Sequence, residues 1–136
     1  GPLSGTDVRI VNSGSGDITA GTVSGTEVSI VISGSGNVMT DEIASATMKA
    51  TLTGSGDLTM SGEAVTSRYV VSGSGTAFSR YFASDDATVT MSGSGSVYAT
   101  VYDNLNAVIS GSGNIYLLGD PDVNLTRTGS GRIIPL

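Results

Sequence analysis

The chain of 136 residues contains neither cysteine nor histidine. Their absence excludes disulfide bonds and metal sites built on thiolate or imidazole ligands. It also excludes every catalytic triad that depends on a cysteine or a histidine. Any chemistry has to come from carboxylates, hydroxyls, amides, aromatic rings and the backbone.

Positive charge is also scarce. The sequence has 6 lysines and arginines against 12 aspartates and glutamates, a net charge of −6, and Lys49 is the only lysine. Phosphate recognition needs clustered Lys and Arg, so we expect no nucleic-acid partner. The acidity disfavours anionic membranes as well. No apolar run approaches the ~20 residues that cross a bilayer, so we expect no direct membrane span.

The length of the chain fits one domain with a core of its own. The opening letters, GPLSG, are typical of a cloning scar or a trimmed start. We therefore interpret residues 1–7 as a lead-in and residues 8–136 as a single domain.

A Ser-Gly-Ser-Gly or Thr-Gly-Ser-Gly tetrad occurs seven times, at intervals of 20, 20, 19, 20, 18 and 18 residues. A near-constant period of this length is the signature of a solenoid, in which each repeat buries its apolar residues against its neighbours. The tetrads begin at Ser13, Ser33, Thr53, Ser72, Ser92, Ser110 and Thr128.

Each repeat has the pattern of a β-strand. Counting from the first residue of a tetrad as position 0, apolar residues stand at −5, −3 and −1, as in Val28, Ile30 and Ile32, and polar or β-branched residues alternate with them. The apolar position returns at +5, as in Val38. This alternation predicts an all-β fold, a parallel β-helix of about seven coils with an 18–20 residue repeat.

The glycines at +1 and +3 share the inward phase of the alternation. We expect them to be structural corners, where two sheets meet and no side chain fits, or where the backbone needs angles closed to other residues. The serines at 0 and +2 then point outward, and Asp17, Asn37, Asp57 and Asn114 at +4 form a polar ladder. The corner glycines are Gly14, Gly16, Gly34, Gly36, Gly54, Gly56, Gly73, Gly75, Gly93, Gly95, Gly111, Gly113, Gly129 and Gly131.

The tetrad followed by Asp or Asn and an aliphatic residue, together with the late segment ISGSGNIYLLGDPDV, resembles the bacterial DUF2807 family, the auto-transporter adhesin, head GIN domain. The resemblance runs from about Val8 to Ile134 and is strongest over Leu105–Val123. It implies a right-handed β-helix exported to the cell envelope, an adhesive role and no catalytic residues. The family usually has further strands before the glycine repeats, and this chain departs from its +4 pattern at Thr76, Ser96 and Arg132.

The repeated serines and glycines do not form a chemical site. A nucleophile is used once per site and needs a base, whereas these serines recur in every coil. A P-loop needs a lysine that is missing after every tetrad. Calcium-binding glycine-aspartate repeats have a nine-residue period, and only Asp17 and Asp57 carry charge at +4. We therefore predict no catalytic residue, no metal and no cofactor, and leave a weak calcium site open.

A carbohydrate-binding or polysaccharide-processing β-helix is the alternative. Such enzymes bring two or three carboxylates together on one face. Here the acids occupy scattered phases, and Glu63 and Asp103, two coils apart, lie roughly 10 Å from each other along the axis. We interpret these acids as a solvated rim.

The aromatic residues are the best candidates for a ligand- or partner-binding surface. Position +6 faces outward and carries an aromatic residue in three successive coils, while three more lie in the connections that follow. Such a strip can hold a sugar ring or a protein surface, or its rings can simply stack on one another and stabilise the sheet. The candidates are Phe78, Tyr98 and Tyr116 in the strip and Tyr81, Phe82 and Tyr102 nearby.

Position −2 forms a flat face of Val and Thr, which is a candidate for packing or self-association. These features predict a non-enzymatic protein, and the family resemblance implies that it belongs to the bacterial cell envelope or surface as an adhesin or a structural scaffold. Its expected partner is a surface polysaccharide or a protein. The −2 residues are Val11, Val31, Thr51, Val70, Thr90, Val108 and Thr126.

Overall fold

The computed structural model describes residues 3–135, with the backbone alone for residues 3–5 and 80. These residues form nine β-strands and no helix. The strands are β1 (Leu3–Asn12), β2 (Ile18–Ile32), β3 (Val38–Leu52), β4 (Leu58–Val71), β5 (Thr76–Met91), β6 (Ser96–Ile109), β7 (Ile115–Leu118), β8 (Asp122–Arg127) and β9 (Ile133–Pro135).

All strand pairs are parallel, and each strand pairs with its equivalent one turn later. The order is β1-β2-β3-β4-β5-β6-β7-β9, with β8 also paired to β6. In β2 and β3 the register is one repeat, so that Ile30 lies opposite Ala50. From β1 to β6, each turn of the solenoid consists of one long strand and one tetrad. In the last turn two shorter strands, β7 and β8, take the place of the long strand, and both pair with β6. The predicted parallel β-solenoid is confirmed, with about six turns where the pattern predicted about seven coils.

The predicted lead-in is only partly described. Residues 1 and 2 lie outside the described residues, and β1 begins at Leu3, which pairs with Val23. Residues 3–7 therefore belong to the first strand of the sheet.

The core is a set of columns that run along the solenoid axis. Val28, Ile30, Ile32 and Val38 are all buried, while Ser33 between them is exposed. The same alternation recurs in the following turns, so the inward and outward phase predicted from the sequence is correct. Because no turn encloses its own apolar residues, each turn depends on its neighbours for burial.

From the second tetrad onwards, contact between successive turns leaves no room for a Cβ atom on the tetrad glycines. A Cβ atom on Gly34 would lie 2.2 Å from the carbonyl oxygen of Gly14, and one on Gly56 would lie 1.9 Å from that of Gly36. Among the described residues only Gly62 and Gly119, outside the tetrads, have positive φ, at 122° and 109°. Unusual backbone angles are therefore not the reason for the tetrad glycines, and the obstacle is the neighbouring backbone along the axis.

The polar ladder at +4 holds the turns together. Asp17 Oδ1 accepts a hydrogen bond from the backbone N–H of Asn37 at 3.0 Å, and Asn37 Oδ1 accepts one from the backbone N–H of Asp57 at 2.9 Å. Asp57 Oδ1 in turn accepts one from the backbone N–H of Thr76 at 2.9 Å. These side chains thus satisfy backbone donors of the next turn, which gives them a structural role.

Candidate functional site

Phe78, Tyr98 and Tyr116 form a continuous stack on the outside of the solenoid, which we call the aromatic ladder. They lie in register on β5, β6 and β7. The ring centroids of Phe78 and Tyr98 are 5.3 Å apart with planes inclined by 18°, and those of Tyr98 and Tyr116 are 4.5 Å apart with planes inclined by 14°. The ladder follows from the repeat, because parallel pairing places equivalent residues one strand spacing apart.

A groove of about 280 Å³ lies beside the ladder. Thr59 pairs with Phe78, and its short side chain ends the run of rings on that side. Thr59, Met60, Phe78, Tyr81 and Tyr98 line the groove. Phe78 is 41% exposed, so a partner can reach one ring of the ladder from this groove.

The neighbouring residues Tyr81 and Phe82 point to opposite sides. Between the pairs Ser79–Ala99 and Ala83–Thr100, β5 contains three residues more than β6, so the strand bulges here. Tyr81 is 78% exposed and joins the groove, whereas Phe82 is fully buried in the core. The prediction that Phe82 contacts a partner is therefore wrong, because the bulge turns its side chain inward.

Tyr102 lies at a second groove, of about 330 Å³, which shares no lining residue with the first. It is exposed there beside Glu63 and Asp85. The sequence pointed to Glu63 and Asp103 as the pair of acids to consider, and Asp103 does not line this groove. The six predicted aromatic residues thus divide into four at the ladder and its groove, one in the core and one at the second groove.

A third, polar groove of about 510 Å³ lies near the last turn. Asp86, Asn104 and Asp122 form one column along it, and Asn104 Nδ2 donates to Asp86 Oδ1 at 2.9 Å. Within the part of the chain that the structure describes, no three acidic, His or Cys side chains come together in a way that could hold a metal ion.

A buried polar cluster surrounds Tyr69 and was not predicted from the sequence. Ser67 and Ser84 share a hydrogen bond of 2.8 Å, and Ser79 donates to the backbone oxygen of Tyr98. Burial raises the pKa of the Tyr69 hydroxyl to about 12, although hydrogen bonds with Ser79 and Ser67 act in the opposite direction. Polar residues at the inward positions −3, −5 and +7 were the signal for this cluster. Its members contact one another in the interior, so it supports the fold.

Residues 3–135 contain no helix with the length and the hydropathy that a membrane-spanning helix needs.

Comparisons with known proteins agree with this architecture. The model of DUF2807, "Putative auto-transporter adhesin, head GIN domain", matches residues 6–121. A crystal structure from Parabacteroides distasonis described as a "Putative lipid binding protein" matches 99% of this chain with 26% identity and a TM-score of 0.89. One described as a "putative adhesin", from the same organism, also matches 99% with 26% identity and a TM-score of 0.88.

A "putative adhesin" from Bacteroides fragilis shares the fold, with a TM-score of 0.77 and 14% identity over 96% of this chain and 92% of that one. The chain spans 55% and 58% of the two Parabacteroides proteins, a little over half of their lengths. No curated protein is significantly similar to it.

Proposed function

The chain belongs to the DUF2807 family of auto-transporter adhesin, head GIN domains, and on that basis we propose that it is a non-enzymatic adhesion module of the bacterial cell surface. It contacts a surface polysaccharide or a protein through the aromatic ladder and the groove beside it. Family membership and the adhesin-described structural neighbours support the adhesin-like surface role. The ladder and its groove support the choice of contact surface.

The observation that carries the proposal is a group of neighbouring aromatic side chains on the outside of the solenoid. Phe78 and Tyr81 are 41% and 78% exposed, and both line the groove with Tyr98. Aromatic rings bury a large apolar area with few rotatable bonds, and they stack on the apolar face of a sugar ring as readily as on protein. A partner that covers this surface removes it from water at little cost in conformational entropy.

Binding at this surface is expected to be shallow and additive. The ladder follows the strand spacing of the solenoid, and the centroids of neighbouring rings are 4.5 and 5.3 Å apart. A polymer or an extended protein segment can lie along this line and make several weak contacts at once. Presentation of many copies on a cell surface then multiplies these contacts into avidity.

The "Putative lipid binding protein" that this chain resembles introduces a lipid as a further partner to test. Three aromatic residues and Met60 line the groove beside the ladder, and such an apolar lining also suits an acyl chain.

The test is binding of the domain to an array of glycans, extracellular-matrix proteins and lipids. The variant Phe78→Leu/Tyr98→Leu/Tyr116→Leu keeps apolar side chains and removes the rings. The variant Val11→Ala/Thr51→Ala/Val108→Ala changes three residues of the −2 face and serves as the matched control. We expect selective binding that the first variant loses by about tenfold or more and the control retains.

Two results would contradict the proposal. One is binding of equal strength by the ladder variant and the intact domain, which would place the contact elsewhere. The other is the absence of binding to every class on the array, which would leave the ladder with a purely structural role. Thermal melting of all three proteins identifies any variant whose binding changes only because it is unfolded.

A further inference from the structure

The second groove, defined by Ser45, Glu63, Val65, Asp85 and Tyr102, is separate from the aromatic ladder. Four successive strands, β3 to β6, contribute to its lining, and its volume is about 330 Å³. That volume lies in the range of small-molecule sites, roughly 300–1,000 Å³. The groove is therefore large enough to take a whole side chain of a partner.

Irregular strand pairing accompanies the groove. The register shifts between β4 and β5 at Thr59/Ser61 and between β5 and β6 at Ser84/Asp86. A bulge bends a strand and changes the direction of its side chains. In addition, alanines and Val65 line the groove, so small apolar side chains leave the space open.

The groove carries two negative charges. Glu63 and Asp85 are both exposed, and among the side chains that the structure describes no lysine or arginine lines the groove. The ion pair found among the described residues joins Lys49 to Glu27, neither of which lines it. Since the whole chain carries a net charge of −6, its field attracts cations towards this site.

The ring of Tyr102 also suits a cation. Tyr102 is 57% exposed, which leaves its ring accessible to a ligand, and an ammonium group is attracted to the face of such a ring.

We infer that this groove binds a lysine side chain of a partner protein. A lysine ammonium has three donors, and the exposed carboxylates of Glu63 and Asp85 offer it acceptors in the groove. The alanines and Val65 suit its methylene stem, and the ring of Tyr102 suits its charge. This site goes beyond the proposed function and does not depend on the ladder.

The experiment is a titration of the intact domain with a short peptide of alternating glycine and lysine, followed by NMR of the backbone amides and by calorimetry. The same peptide with acetylated lysines is the uncharged control. We compare Glu63→Gln/Asp85→Asn with Asp7→Asn/Asp120→Asn, which changes the net charge equally at two exposed acids outside the groove. A third variant, Tyr102→Leu, removes the ring and keeps an apolar side chain.

We expect shifts at the amides of the groove, with affinity at least about tenfold lower for the acetylated peptide and for Glu63→Gln/Asp85→Asn. The affinity of the charge-matched control should fall by less than about twofold, and that of Tyr102→Leu by about threefold.

Equal weakening in both charge variants would overturn the inference, because the attraction would then be non-specific. Equal binding of the acetylated peptide would overturn it too, and so would a neutral oligosaccharide that binds the groove in place of the lysine peptide. The variants change exposed side chains, and melting curves check that each is folded.

Discussion

A Cβ atom on Gly36 would lie 1.9 Å from the carbonyl oxygen of Gly16, whereas a Cβ atom on Gly16 would meet nothing within 4 Å. The two glycines occupy the same position in successive tetrads. The difference arises because the turn that contains Gly16 precedes Gly36 along the axis and contacts it, whereas none of the described residues contacts Gly16 in this way. Identical sequence positions therefore tolerate substitution to very different degrees.

The first prediction concerns this pair. Gly36→Ala should lower the free energy of unfolding by about 3 kcal/mol or more, because backbone of the preceding turn has to move away from the new methyl group. Gly16→Ala should change it by less than about 0.5 kcal/mol. Urea denaturation of both variants measures the difference. Equal effects would mean that the glycines are needed for a reason other than contact between turns.

The polar ladder gives a second prediction. Asp57→Ala removes the acceptor for the backbone N–H of Thr76, a bond of 2.9 Å, and should cost about 1–2 kcal/mol in unfolding free energy. Asp57→Asn keeps an oxygen at the same place and should cost less than about 0.5 kcal/mol. Chemical denaturation distinguishes the two. If the asparagine variant is as unstable as the alanine variant, the charge matters and the hydrogen bond does not.

Stacking in the aromatic ladder should be measurable as a coupling energy. In a double-mutant cycle, Tyr98→Ala and Tyr116→Ala should interact by about 0.5–1.5 kcal/mol, because each ring stabilises the other. Phe78 and Tyr116 do not stack on each other, so the cycle for that pair should give a value near zero. Similar couplings for both pairs would show that the effect spreads through the sheet.

The raised pKa of the buried Tyr69 hydroxyl predicts a loss of stability at alkaline pH. The folded state holds the Tyr69 proton up to a pKa of about 12, against 10.0 for a free tyrosine. Between these values the folded state binds more protons than the unfolded chain, so the stability that is complete below pH 10 falls as the pH rises towards 12. The loss from this one group is about 2–3 kcal/mol.

The measurement is urea denaturation of the wild type and of Tyr69→Phe across this pH range. The variant lacks the buried hydroxyl, so its stability should decline less steeply, and all the other titrating groups are shared by the two proteins. Parallel pH profiles would contradict the assignment to Tyr69. At neutral pH the variant should lose about 1 kcal/mol, the value of a typical hydrogen bond.

The grooves show the limit of prediction from the sequence. Tyr81 and Phe82 are neighbours in an aromatic stretch, and both were candidates for the surface. Only the three extra residues of β5 relative to β6 send Phe82 into the core and leave Tyr81 outside. The position of those residues depends on how two strands pair, and the sequence of one strand does not contain that information. A separate register shift between β5 and β6, at Ser84/Asp86, accompanies the groove in which Glu63, Asp85 and Tyr102 meet.

The sequence alone determined the solenoid, the parallel pairing and the face of each strand on which a residue lies. It could do so because the alternation has a period of two and the tetrads repeat once per turn, so that residues such as Phe78 and Tyr98 share a column wherever the register is regular. The tertiary structure decided the direction of side chains where the register shifts and the space available to side chains where successive turns are in contact. The lack of room for a Cβ atom on Gly36 and the inward direction of the Phe82 side chain both result from contact between neighbouring turns of the solenoid. That contact exists only after the chain has folded.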